Sequence, residues 1–334
     1  MDNKTANHYV KLSTQYKREH KKDYGRERIE ILYEDEWLVV INKASGLLSV
    51  PYPGSKVRTA QALLEELLRK RGKLGGRHGV YVVHRLDRDT SGVMMFALTE
   101  QAQKIIMDSW HTMVTERLYH AIGENTSALK NRMPKKQTPE LEPLADQGWI
   151  TDKLAQNAHN VGYVPKTGAK DKKGHEIKTV AARTHYKKIA EGPSHCLFEL
   201  SLDTGKKNQI RAHLAAHGYP LAGDEEHRAM TDPFGRLCLH ARTLEFNHPF
   251  THEKLKFEVA EPDEWLEYVK RGDLNPEVPV WVKGFEGKKN QVDNKSQKYK
   301  NHHNDDSEIE LGQKRLSRKE ESHLDFIQAG KKRR

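Results

Sequence analysis

The densest chemistry in the chain lies at His84-Arg85-Leu86-Asp87-Arg88-Asp89-Thr90-Ser91-Gly92, where five potentially charged side chains fall in six consecutive positions between apolar runs. A chain that leaves a core, turns and re-enters it must pair such groups or give them to water. An Asp between two Arg residues at a strand end is well placed to stay ionised, as a general base or nucleophile must. The same residues also fit a plain surface turn, with Asp89, Thr90, Ser91 and Gly92 supplying local hydrogen bonds. Glycoside hydrolysis would need a second carboxylate facing Asp87 across a sugar, and Asp89 is too close in sequence and too turn-like to serve. His213 and His217 stand one helical turn apart, but no third residue has metal-ligand spacing, so no metal is expected. Cys196 and Cys238 lie in apolar runs and read as small buried residues.

Those residues need a scaffold, and the sequence outlines one. Of 334 residues, 36% are hydrophobic and 31% charged. The excess charge is concentrated at 283–334, where 14 Lys/Arg and 9 Asp/Glu supply half of the net +10. Three segments follow: a basic N-terminal extension over 1–28, a folded body over 29–282, and a charged tail over 283–334 expected to be disordered. The basic balance favours a polyanionic partner. Neither a signal peptide nor an apolar run long enough for a membrane span is visible, so a reducing cytoplasm and no membrane partner are expected.

Within the body, IEILY (29–33) and WLVVIN (37–42) predict a strand pair, and the stripe Ala60, Leu63, Leu64, Leu67, Leu68 predicts a helix over 57–71. GVYVVHRLD (79–87) and GVMMFAL (92–98) read as β-rich runs, and Thr99 is placed to cap a helix with Ile105, Ile106 and Trp110 on its stripe. RLYHAI predicts a short strand carrying Tyr119. Residues 124–178 read as surface excursions with one short hairpin. A hairpin is predicted from 179–190 and 195–203 across Glu191–Ser194, then a helix over NQIRAHLAAH ending at Gly218. Strands at 236–246 and 254–260 and a short helix opened by Pro262 complete an α+β pattern, a mixed and mainly antiparallel sheet with flanking helices. Arg211 precedes Leu214 and Ala215 by three and four positions, so it lies beside the apolar face of its helix and can point inward.

HRLDRDTSG resembles the signature of the pseudouridine synthases that act on large-subunit ribosomal RNA and on tRNA. The likeness extends to VVINKASGLLSV, RLYHAI, TGKKNQIRAHLAAHGYPLAGD (204–224) and LHARTLEFNHP (239–249), in the family's order over roughly residues 30–260. It implies a pseudouridine synthase catalytic fold with an RNA-binding cleft across its sheet. It also implies that Asp87 is the catalytic aspartate, Tyr119 the tyrosine that packs on the target uracil, and Arg211 the basic partner of Asp87. Arg85 would occupy the space of the displaced base and Ile210 would line the base pocket. His84, Thr90, Lys206, Asn208 and Gln209 are carried as substrate contacts, although His84 by residue type alone reads as a turn or core hydrogen-bonder. Lys206 and Asn208 depart from the family's usual arginine and histidine; Lys206 keeps the charge without the bidentate fork, and Asn208 is a candidate cap for the following helix.

The implied reaction adds and removes no group overall, so it needs no cofactor or metal. The implied partner is structured RNA, ribosomal RNA ahead of tRNA, and a monomer is expected. Only about 28 residues precede the first strand, too few for the small basic RNA-binding domain that family members often carry. Recognition is therefore expected to rest on the body and tails.

Overall fold

The runs WLVVIN and GVMMFAL show no polar alternation, and the structure gives the reason. They form neighbouring antiparallel strands, β2 (Leu38–Lys43) and β4 (Ser91–Ala97), covered on both faces. Val39, Ile41, Met94 and Phe96 enter one hydrophobic cluster, while Leu38, Val40, Val93 and Met95 enter another behind the sheet. The computed structural model describes residues 29–52, 57–129, 141–171, 173–277, 279 and 281. The extension expected at 1–28 and the tail expected at 283–334 lie outside the described residues.

The remaining strands are β1 (Ile29–Glu34), β3 (Tyr81–Val82), β5 (Val114–Glu124), β6 (Gln147–Ile150), β7 (Ala155–Gln156), β8 (Gly162–Tyr163), β9 (Thr184–Glu191), β10 (His195–Leu202), β11 (Leu239–Asn247) and β12 (Lys254–Glu258). The large sheet runs β1-β2-β4-β11-β5-β10-β9-β6, with β12 against β11 and β3 against β4. Every pairing is antiparallel except β4 with β11. The helices are α1 (Ala60–Lys70), α2 (Glu100–Met113), α3 (Gln209–Ala216) and α4 (Glu264–Arg271). This is the expected α+β class. Thr59 and Thr99 cap α1 and α2, each accepting from a backbone N–H three residues on. α1 and α3 bury Leu64, Leu68, Ile210 and Leu214 in the cluster that also holds Tyr119, while α2 packs Ala102 and Ile106 into the other.

Three expectations change in extent. RLYHAI belongs to an eleven-residue strand, β5, paired along its length with β10 and β11, so Tyr119 stands mid-sheet opposite Leu200 and Ala241. The run 79–87 forms only a two-residue strand, because the chain peels away from β4 after Val82. There the His84 ring replaces a ladder partner: its Nε2 accepts the Met95 amide at 2.9 Å. Between 124 and 178 the predicted hairpin is β7–β8, but β6 adds an edge strand beside β9. Four residues are too few to reveal a strand period.

The parallel contact of β4 and β11 explains the glycine that ends the charged motif. Gly92 has φ +114°, and a Cβ there would lie 2.1 Å from the Ala241 carbonyl oxygen. Gly92→Ala is expected to cost about 3 kcal/mol, through strained φ and overpacking together. Urea unfolding checks this; a loss below 1 kcal/mol would show that the seam yields.

Candidate active site

Asp87 sits on a loop tied to the end of β2 and the segment after it by three side chains. Lys43 is fully buried, and its Nζ donates to the carbonyls of Ala44, Leu47 and Arg88 at 2.9, 2.7 and 3.0 Å. Three carbonyl acceptors match the three donors of an ammonium. Ser45 Oγ donates to the Asp89 carbonyl at 2.7 Å. Ser49 Oγ donates to the Leu86 carbonyl and accepts the Leu86 amide, at 2.6 and 3.1 Å. Carbonyls on both sides of Asp87 are thus fixed, and the Thr90 amide closes the turn onto the Asp87 carbonyl at 3.1 Å. The motif forms the turn that its residues suggested, and that turn is the mount of the Asp87 carboxylate.

The carboxylate itself is 29% exposed and meets two donors from the start of α3. Asn208 Nδ2 donates to Asp87 Oδ2 at 2.8 Å, and Arg211 Nη1 lies 3.6 Å from the same oxygen. Arg211 therefore reaches Asp87, as the resemblance implied, but its closer partner is different. Its Nε and Nη2 grip Asp224 bidentately at 2.7 and 2.6 Å, and Nη2 also meets Glu226 at 2.8 Å. The guanidinium is 8% exposed. Burial alone would lower its pKa, but the hydrogen bonds and charge of Asp224, with Asp87 and Glu226, raise it well above the ordinary range. Burial would raise the Asp224 pKa; the Arg211 fork and His227 overcome that and hold it far below the usual carboxylate range.

His227 extends the network. Its Nδ1 faces Asp224 Oδ2 and its Nε2 faces the Gly162 carbonyl, both at 2.9 Å. Gly162 opens β8, and a Cβ there would lie 2.3 Å from the Lys207 carbonyl oxygen. The hairpin read from sequence as a surface excursion is thus pressed against the start of α3 and becomes a wall of the site.

The other expected site residues divide into two groups. Arg85 is exposed on the same loop, and Lys206 is exposed before α3. Tyr119 and Ile210 lie in the hydrophobic cluster with Leu86, behind the Asp87 loop. Burial raises the Tyr119 pKa, and the Asp87 charge adds to this against the opposing Arg117. The phenol stays neutral, and any proton it takes must pass through a relay.

His84, Thr90 and Gln209, in contrast, pack into the frame around the loop. Besides holding the Met95 amide, the His84 ring packs on Trp110 with centroids 4.8 Å apart. Desolvation, helped by Arg117, pushes its pKa down to about 3. Thr90 is 2% exposed. The Gln209 amide has all four bonding positions filled: Oε1 accepts from Thr204 Oγ1 and the Lys206 amide, while Nε2 donates to the Arg183 carbonyl and Thr184 Oγ1. Asn208 occupies the cap position of α3 but makes no capping bond; its side chain turns to Asp87 instead.

Sequence reasoning missed Lys43, Ser45, Ser49, Gly162, Asp224, Glu226 and His227. Lys43, Ser45 and Ser49 lie in the block VVINKASGLLSV and Asp224 ends YPLAGD, so these four carried a signal by position, whereas Gly162, Glu226 and His227 carried none. The pair His213 and His217 binds Asp152, through its carbonyl and its carboxylate at 2.9 and 2.8 Å. Among the described residues, no group of three His, Cys, Asp or Glu stands where it could hold a metal ion, and no helix is long and apolar enough to cross a membrane.

A mixed, mainly antiparallel sheet with flanking helices in this order has known counterparts. The fold matches the structures of human RNA pseudouridylate synthase domain containing 4 (TM-score 0.52, 21% identity, 70% of this chain and 89% of that one) and domain containing 1 (TM-score 0.50, 19% identity, 71% and 84%). Residues 37–216 match the family model for RNA pseudouridylate synthase. The tRNA pseudouridine synthase C of Vibrio cholerae is 33% identical over 71% of this chain and 93% of its own length. The ribosomal large subunit pseudouridine synthase D of Neisseria meningitidis serogroup A is 30% identical over 71% of this chain and 59% of its own length. The chain belongs to the RNA pseudouridylate synthase family. It is an enzyme of that class, acting on RNA.

Arg211→Ala leaves Asp224 buried without its cation, and a loss of about 3–5 kcal/mol at pH 7 is expected. The folded Asp224 pKa is depressed, so its stabilisation is complete above the unfolded value near 3.9 and is lost as pH falls below it. The gap between variant and wild type should therefore narrow in acid. Urea titrations at pH 7 and pH 3 test this, and an equal gap at both would contradict the assignment.

Proposed function

We propose that this enzyme converts uridine to pseudouridine in structured RNA, with Asp87 as the reacting carboxylate, Arg211 its ionic support and Tyr119 the surface beneath the uracil. The observation that carries this reading is the convergence of Arg211 and Asn208 on one Asp87 oxygen, on a loop whose carbonyls are themselves fixed.

The reaction breaks the N1–C1′ bond, turns the uracil, joins C5 to C1′ and releases the C5 proton. The target nucleotide must first leave its stack, at a cost of a few kcal/mol. Exposed Arg85 suits this, because a planar cation both stacks and hydrogen-bonds in the space left behind. A carboxylate closed in by a bound nucleotide tends to take up a proton, and the nearby guanidinium opposes that tendency. The fixed mount also matters, since small displacements of a reacting group are costly in rate. Lys206, exposed just before α3, suits a phosphate as a point charge.

Relatives named for tRNA and for ribosomal RNA both match. tRNA and large-subunit ribosomal RNA are therefore the two substrates to test.

Asp87→Asn is expected to abolish pseudouridine formation, a loss of at least about 1,000-fold, while RNA affinity stays within about threefold. Nucleoside analysis of the product distinguishes pseudouridine, free uracil and unchanged RNA. Free uracil from the wild type would point to a hydrolase, and full activity in the variant would remove Asp87 from the chemistry.

A further inference from the structure

Asn208 departs from ordinary helix-start behaviour in a way that the α3 helix itself does not require. Its backbone is left-handed, φ 54°, and its side chain makes no cap bond. Asn is among the few residues that adopt this conformation readily. At 7% exposure the side chain is buried, and it spans two elements. Its Oδ1 accepts the Gly162 amide at 3.1 Å, and its Nδ2 donates to Asp87 Oδ2 at 2.8 Å. The first bond fixes the second. A backbone N–H can only donate, so the oxygen of the amide must face Gly162 and the NH2 must face Asp87.

Gly162 is in turn held through its carbonyl by His227, which also meets Asp224, the bidentate partner of Arg211. Arg211 then returns to Asp87. The contacts form a closed circuit, Asp87–Asn208–Gly162–His227–Asp224–Arg211–Asp87. Both side-chain donors that reach Asp87 fall on Oδ2. Among the described residues, none donates a hydrogen bond to Oδ1.

We propose that Asn208 is a positioning residue that makes the two Asp87 oxygens unequal: Oδ2 is anchored, and Oδ1 is presented to the sugar of the flipped nucleotide. This rests on the reading of Asp87 as the reacting carboxylate. It gives Asn208 no contact with substrate, so its loss acts on turnover and not on RNA binding.

Asn208→Asp is the sharpest test. It preserves shape and the acceptor for the Gly162 amide, but it turns a carboxylate oxygen toward Asp87 where a donor stood. Asn208→Ala removes both bonds. The assay measures tritium released to water from a mixture of transcribed tRNA and large-subunit ribosomal RNA labelled at uracil C5, together with KM and the melting temperature of each protein. The expected result is a kcat loss on the order of tenfold for the Ala variant and on the order of a hundredfold for the Asp variant. KM should stay within about twofold, and each variant should melt within a few degrees of the wild type. Asp87→Ala is the control. Activity in that variant defeats the reading of Asp87 itself. An inactive Asp87→Ala with wild-type kcat in Asn208→Asp defeats the positioning role alone. Equal damage to kcat, KM and melting temperature would reduce Asn208 to a structural residue and overturn the proposal.

Discussion

A single buried guanidinium organises this molecule's chemistry. Arg211 has its fork on Asp224 and its remaining nitrogen toward Asp87, with Glu226 at the rim. A cation so deeply placed is tolerable only because carboxylates surround it, and those carboxylates are tolerable only because it is there. The arrangement is therefore specified as a whole. Asp224 fixes the plane of the guanidinium, and that plane decides how close Nη1 stands to the Asp87 carboxylate. The bidentate geometry explains why lysine is no substitute: a point charge would neutralise Asp224 without setting a direction.

The fold brings five separate stretches of chain to this point. The loop before β4 carries Asp87, and the end of β2 with the segment after it ties that loop down through Lys43, Ser45 and Ser49. The start of α3 supplies Asn208 and Arg211, while the loop before β11 supplies Asp224, Glu226 and His227. β5 lays Tyr119 in the cluster behind. Glycine is demanded where backbones close on one another, at Gly92 against β11 and at Gly162 against the α3 entry. Rigidity here comes from backbone held by side chains. It suits a reaction in which the nucleotide moves and the carboxylate must not.

Much of this was legible in the residues, for identifiable reasons. Helix α1 announced itself by the spacing of Leu64 and Leu68, and α2 by its Thr99 cap. The two central strands were legible as apolar runs, although sequence could not say which face each residue took. Asp87 stood out because charge packed between apolar runs needs a cause. The partners were hidden for a different reason. Gln209 lies inside a matching motif, yet its amide is spent on the frame; membership of a motif does not distinguish a residue that touches substrate from one that holds another in place. Gly162 and His227 act across 65 residues of sequence through a backbone carbonyl, which leaves no pattern in side-chain types. Lys43 looked like an ordinary loop lysine, and its role depends on three carbonyls that only the folded chain brings together.

The most direct test is a crystal structure of the enzyme bound to RNA whose target uridine carries fluorine at C5, where no proton remains to be lost. The account predicts the nucleotide flipped out of its stack, its uracil against Tyr119, and Asp87 Oδ1 about 3–3.5 Å from, or bonded to, the sugar–base unit. In that complex Oδ2 should still hold Asn208 and face Arg211. A flipped base lodged elsewhere, or an Asp87 turned so that Oδ2 meets the nucleotide while the Asn208 contact is broken, would contradict it.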